Sequence, residues 1–168
     1  HTRDDLNLYR GYEWWIMREA KKRNPKITLD AVAWGAPGWV GNGTFWSQDM
    51  ADYYVKWIQG LKSAHGLQLD AIGCRNEKGV DFPFAKLFRS TLNSAGLQQV
   101  RLHGFDNWGD QKFDWLDALT TDEELRQSID IISNHTMSEV AASLEVQRLA
   151  ESLGKPLWDT EEHIYLKG

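Results

Sequence analysis

The feature that most narrows the fold of this chain is an alternation of two patterns along almost its whole length. Short apolar or β-branched runs alternate with longer stretches whose apolar residues recur every three or four positions. Tyr12, Trp15, Ile16 and Ala20 predict a helix from Leu8 to Arg23, with Lys21, Lys22 and Arg23 suiting its last turn and Asn24-Pro25 stopping it. "ITLDAVAW", from Ile27, reads as a strand running into the Gly-rich loop "GAPGWVGNG". Met50, Tyr53, Tyr54, Trp57, Ile58 and Leu61 then mark an amphipathic helix with Ser47 as N-cap. A strand from about Asp70 to Arg75 follows. Asp81-Phe82-Pro83 opens a helix through Phe84, Leu87 and Phe88 that ends near Gly96. Val100 to His103 is a further strand, and Thr121 with Glu124 forms a capping box for a short helix. "IDIISNH", from Ile129, is a strand, a helix through Val140, Leu144 and Leu149 is stopped by Gly154, and "KPLWDTEEH" is the last strand.

Repeated βα units close into parallel sheets, either an open doubly wound sheet or an eight-stranded barrel. The chain lacks a GxGxxG or GxxxxGK[ST] turn, which argues against nucleotide binding and favours the barrel. A full barrel takes about 250 residues. With 168 residues the chain is expected to be a single α/β unit, residues 1–168, forming an incomplete central segment of a (β/α)8 TIM barrel that lacks the first strands and the last. Its ends, "HTRDDLN" and "HIYLKG", carry no terminal punctuation and point the same way. A net charge of -5 with interspersed signs gives no basic stripe for phosphates, so nucleic acid is not an expected partner. No apolar run approaches the ~20 residues of a membrane span. Cys74 is the only cysteine, which excludes an internal disulfide and a thiolate cluster, and the histidines show no metal-ligand spacing. Asn42-Gly43-Thr44 and Asn134-His135-Thr136 are sequons for N-glycans.

Polar or aromatic residues follow nearly every strand: Trp34, Asn76 and Glu77, Asp106 and Asn107, His135, and Glu161. Ligands bind at the C-terminal ends of parallel strands, so this distribution outlines an active face. Within "AIGCRNEKG" an apolar run passes into Asn76 and Glu77 with no turn signal between, as expected if a strand end holds Glu77 rigidly. Two carboxylates across a cleft are the equipment of glycoside hydrolysis, one protonating the leaving oxygen and the other attacking the anomeric carbon or activating water. A separation of about 5 to 5.5 Å would mean retention. Asn76 is suited to a sugar hydroxyl, and Trp34, Trp39 and Trp158, from a set of nine tryptophans, offer flat faces for a pyranose. His135 and Asp106 would tie down polar groups. On pattern alone each of these also reads as an ordinary solvated or core residue.

"YRGYEWWIMREAKKRNPKITL", "PGWVG", "IGCRNE", "DNW" and "KPLWDTEE" together resemble the galactocerebrosidase family of glycoside hydrolases, over most of the chain from Tyr9 to Glu161. The resemblance implies a (β/α)8 barrel and a retaining β-galactosidase acting on galactosylceramide-type glycolipids, with no cofactor. It implies Glu77 as general acid/base with Asn76 beside it. Glu161 is the implied nucleophile, chosen over Glu162 by alignment from Trp158, and Trp34 the implied sugar contact. It further implies a glycolipid substrate, contact with a membrane surface or a lipid-presenting helper protein, and a lysosomal or secreted location. The family's lectin-like and β-sandwich domains are expected to lie outside these residues. Arg75 stands where the family has Trp, Cys74 replaces an aliphatic residue, and "AWGAPGW" lacks the family's Ser-Phe. An inward-pointing Arg75 would depress the pKa of Glu77 and weaken it as an acid. The alternatives are a related β-glycosidase acting on another sugar, and a non-catalytic, degenerate sugar-binding paralogue.

Overall fold

The structure, a computed structural model, describes residues 2–4, 7–109, 113–137 and 141–162. In chain order the elements are α1 (Glu13–Arg23), β1 (Asp30–Ala31), α2 (Gln48–His65), β2 (Ala71–Gly73), α3 (Phe82–Ser94), β3 (Arg101–Gly104), α4 (Ala118–Thr121), α5 (Glu123–Ser128), β4 (Ile131–His135), α6 (Leu144–Ser152) and β5 (Leu157–Glu161), with 3-10 turns at Val40–Gly43 and Asp114–Asp117. The strands form one five-stranded sheet in the order β1-β2-β3-β4-β5. Every neighbouring pair is parallel. A doubly wound sheet reverses its strand order at a switch point. This one never reverses, and right-handed crossovers of that kind stack the helices on one face and leave the other as a barrel interior. The fold is a parallel half-barrel.

Pairing register assigns each strand residue to a face. Ile72 pairs with Leu102, and Gly104 with Ile132, on the side where α2 and α3 pack. There Met50, Tyr54, Ile58 and Leu61 of α2 meet Phe84, Phe88 and Leu92 of α3 in the buried core. Tyr54 stacks on Phe88 at 4.6 Å and donates its hydroxyl hydrogen to the Cys74 carbonyl at 3.0 Å. The inward face is different in kind. Gly73 pairs with His103, His103 with Ile131, and Ser133 with Trp158, so a column of polar side chains lines the interior.

Most caps follow the expected chemistry. The Ser47 hydroxyl accepts from the Met50 N–H and the Asp81 carboxylate from that of Phe84, and Gly96 and Gly154 follow their helices with positive φ. Four local expectations are corrected. The capping residue ahead of α5 is Asp122, whose carboxylate accepts from Leu125 N at 2.9 Å, while Thr121 ends α4. α1 buries Trp14 and leaves Tyr12, Trp15 and Ile16 exposed. The reason is that α1 packs on α2, where Trp14 meets Trp57 and His65 at ring distances of 5.5 and 5.0 Å. β2 stops at Gly73 rather than Arg75. Asn134 is fully buried on the helix-facing side of β4, so its sequon is closed in the folded state, whereas Asn42 is exposed. Of the residues expected to carry the sixth helix, Val140 lies outside the described residues.

Candidate active site

The two sequence-predicted carboxylates converge at the C-terminal rim of the sheet. Glu77 lies beyond β2 in a bend, with a left-handed φ of 48°, so it is set by a turned backbone and not by an uninterrupted strand. Two main-chain bonds fix that bend: Asn76 N–H to the Ala33 carbonyl at 3.1 Å, and Glu77 N–H to the Asp106 carbonyl at 2.8 Å. Glu161 ends β5. Asn134 pairs with Asp159 but His135 with Glu161, so Thr160 is an extra residue in a β-bulge. Bulges re-aim side chains. This one lets the consecutive residues Thr160 and Glu161 both reach inward, Thr160 donating to Asp106 Oδ1 at 2.6 Å and Glu161 approaching His135.

His135, buried at the end of β4, lies between the carboxylates: its Nδ1 is 2.9 Å from Glu77 Oε1 and 3.9 Å from Glu161 Oε2. One oxygen from each glutamate and a ring nitrogen of His135 all lie within 4.8 Å of one another. Thr136 follows with a φ of 54°, costly for a β-branched residue. Strained backbone therefore flanks the pair on two elements, as it does where geometry is held for function.

Beneath the carboxylates is a buried polar cluster that sequence reasoning reached only in part. Asp106 is fully buried; it was singled out for its position after a strand, but its partners His103, Ser133 and Thr160 were not, nor was Asp30, which bonds His103. His103 Nε2 is 2.9 Å from Asp30 Oδ1, and its Nδ1 is 2.8 Å from Ser133 Oγ and 3.2 Å from Asp106 Oδ2. Burial pushes the His103 pKa down, but the Asp106 and Asp30 carboxylates outweigh it and raise it to about 10, so the ring is an imidazolium at neutral pH. Burial likewise pushes Asp106 up, and the His103 charge with the Thr160 hydrogen bond overcomes it, holding the carboxyl below its ordinary value. The signal available in sequence was a histidine and a serine inside apolar strands, in "VRLHGF" and "IDIISNH".

Asn76 is buried, and among the described residues its Oδ1 has no hydrogen-bond partner. Trp34 is 69% exposed on the loop after β1, one residue beyond the Ala33 carbonyl that holds Asn76. Trp39 instead packs against Tyr53 and lines a cavity of about 710 Å³ between the N-terminal segment and α2, among whose described lining residues neither carboxylate is found. Trp158 lies on the inward face with the Arg101 guanidinium 4.8 Å above its ring. Arg75 does not point at Glu77: its guanidinium lies 4.0 Å over Phe45 and 5.3 Å from the Trp46 ring, and among the described residues no ion pair joins it to Glu77. A smaller cavity of about 450 Å³ opens beside the site, walled by Val80, Phe82, Trp108 and Trp115, with Asn107 bonded to Gly79 at its edge.

A parallel half-barrel that presents a glutamate pair on its C-terminal rim has the design of the barrel glycoside hydrolases. The sequence makes this specific. Residues 1–167 match the profile of glycosyl hydrolase family 59, and the chain belongs to that family. It is 41% identical to galactocerebrosidase of Salmo salar over 170 residues, covering 97% of this chain and 24% of that protein. It is 40% identical to galactocerebrosidase of Homo sapiens, covering 96% of this chain and 23% of that protein. The chain thus spans about a quarter of the length of these curated relatives. Its fold is similar to that of SrfJ from Salmonella typhimurium, with a TM-score of 0.73 at 20% identity over 92% of this chain and 40% of that one. It is also similar to the catalytic domain of GH30 xylanase C from Talaromyces cellulolyticus, with a TM-score of 0.60 at 20% identity over 73% of this chain and 35% of that one.

Proposed function

We propose that the chain forms part of the catalytic barrel of a retaining β-galactosidase acting on galactosylceramide-type glycolipids, with Glu77 as general acid/base and Glu161 as nucleophile. The observation that carries this is the convergence of Glu77 and Glu161 on His135, with carboxylate oxygens within 4.8 Å. That spacing suits direct attack on the anomeric carbon and is too close for the water that an inverting mechanism needs between its carboxyl groups. Glu161 attacks C1 as Glu77 protonates the leaving oxygen, giving a glycosyl ester. Glu77, now a carboxylate, then draws a proton from the water that releases the sugar. A buried Asn76 Oδ1 without a hydrogen-bond partner among the described residues and an exposed Trp34 ring support their reading as sugar contacts. Family membership and the names of the relatives support the choice of a galactosyl lipid, and with it presentation at a membrane surface or by a lipid-carrying helper protein in a lysosomal or secreted setting.

The test uses the intact protein and two substitutions, Glu161→Gln and Glu77→Gln, assayed on galactosylceramide and on nitrophenyl β-galactoside, β-glucoside and β-xyloside. Each should lower turnover at least ~10³-fold, and a 2-fluorogalactosyl fluoride should label Glu161 covalently. Unchanged turnover in Glu161→Gln, or label recovered on Glu162, would sink the assigned nucleophile. Turnover confined to the glucoside or xyloside would replace the galactosyl reading with that of a relative on another sugar.

A further inference from the structure

Asp106, fully buried, bonds to both candidate catalytic segments. Its main-chain carbonyl accepts from Glu77 N–H at 2.8 Å, and its Oδ1 accepts from Thr160, the residue before Glu161, at 2.6 Å. The same Oδ1 lies 3.9 Å from His135 Nε2, whose other nitrogen meets Glu77. Among the described residues its Oδ2 receives no well-directed hydrogen bond, and it is held instead beside the buried His103 ring. Packing is tight around this contact, since a Cβ on Gly73 would sit 2.5 Å from both Asp106 Oδ2 and His103 Cε1.

We infer that His103 and Asp106 form a positioning pair beneath the candidate catalytic carboxylates, His103 fixing Asp106, and Asp106 fixing Glu77 through its main chain and Glu161 through Thr160. The inference rests on the catalytic reading above. The groups that face the pair are Asp30 from β1, Tyr54 from α2, Cys74 just after β2, Ser133 and His135 from β4, and Thr160 from β5. Tyr54 and Cys74 are both buried and pushed well above their ordinary values, chiefly by burial, so they stay neutral. His103 therefore supplies the cationic charge that offsets Asp106 and Asp30. Without it only the Thr160 and Ser133 hydrogen bonds oppose burial at Asp106, its carboxyl takes up a proton at higher pH, and the Thr160 contact changes character.

The test is made on the intact protein. In the wild type, histidine nitrogen NMR should find the His103 ring doubly protonated at pH 8, where a histidine of ordinary pKa near ~6.5 is neutral. His103→Gln should lower kcat about tenfold or more, leave KM within about twofold, and move the acid limb of the kcat profile up by about one unit. Thr160→Val removes only the hydroxyl that bonds Asp106, and should lower kcat in the same way even if His103→Gln fails to fold. A neutral His103 at pH 8 overturns the inference. So does a destabilised His103→Gln or Thr160→Val that keeps wild-type kcat and pH profile while Glu77→Gln is inactive. Wild-type turnover in Glu77→Gln instead overturns the catalytic reading beneath it.

Discussion

Replacing Gly73 with alanine tests the interior of the half-barrel with one methyl group. A Cβ at that position would lie 2.5 Å from Asp106 Oδ2, 2.5 Å from His103 Cε1 and 2.9 Å from Val32 Cγ2. Neither of the first two atoms can retreat freely, because Asp106 and His103 are fully buried and His103 is bonded to Asp30 and Ser133. Overpacking of a tight interior typically costs about 1 to 3 kcal/mol. Outright loss of one partner of a buried ion pair costs about 3 to 5 kcal/mol. Alanine splays the pair apart but keeps both partners, so the expected cost is about 3 kcal/mol. For a unit of 150 to 250 residues that is a fall in Tm of roughly 6 to 12 °C. The control is Gly38→Ala, where nothing among the described residues lies within 4 Å of the new Cβ and a change within about 0.5 kcal/mol is expected. Urea midpoints of the two variants, measured side by side in the intact protein, settle the matter. Equal midpoints would mean that the His103 and Asp106 side chains do not meet over Gly73, and the packing argument would be wrong.

Two further outcomes follow from the same structure. The His103 pKa is raised to about 10 from an ordinary 6.5, so its stabilising contribution is complete below about pH 6.5 and is lost as pH rises through 10. Urea midpoints between pH 6 and 10 should decline in the wild type and stay flatter in His103→Gln. At the opposite end of the strands, Arg89 donates to the Val100 carbonyl at 3.1 Å and the Ser128 carbonyl at 3.3 Å, and pairs with Asp130, which itself accepts from Leu102 N–H at 2.7 Å. Arg89→Met strands these acceptors and should cost about 2 to 3 kcal/mol in equilibrium unfolding, with kcat unchanged because the clamp lies away from the rim that carries the proposed catalytic pair.

What could be read from the residues divides along physical lines. The α2 stripe, the cap at Ser47 and the opening of α3 at Asp81-Phe82-Pro83 were legible because local periodicity and helix-start chemistry dictate them, and the parallel order because strands and helices alternate. The glutamate pair was legible because strand ends of a parallel fold share one rim. The inner cluster was not, because which of two faces a residue such as His103 takes depends on pairing register, and register is a property of the assembled sheet. Thr160 was hidden for a related reason: strict alternation along β5 would point Thr160 and Glu161 to opposite faces, and only the bulge brings both inward. The face of α1 was misread because spacing alone cannot choose between Trp14 and the Tyr12, Trp15, Ile16 stripe. That choice is made by Trp57 and His65 on the neighbouring helix.

The left-handed φ of 48° at Glu77 has an evolutionary corollary. An L-residue with a Cβ is held there at a cost of roughly 1 to 2 kcal/mol, which glycine escapes and asparagine partly escapes. Glu77→Gly or Glu77→Asn is therefore expected to melt at a higher temperature than the wild type and, on the catalytic role proposed for Glu77, to lose turnover. Mutants collected for heat resistance alone would drift away from glutamate at this position, and those collected for sugar release would drift back.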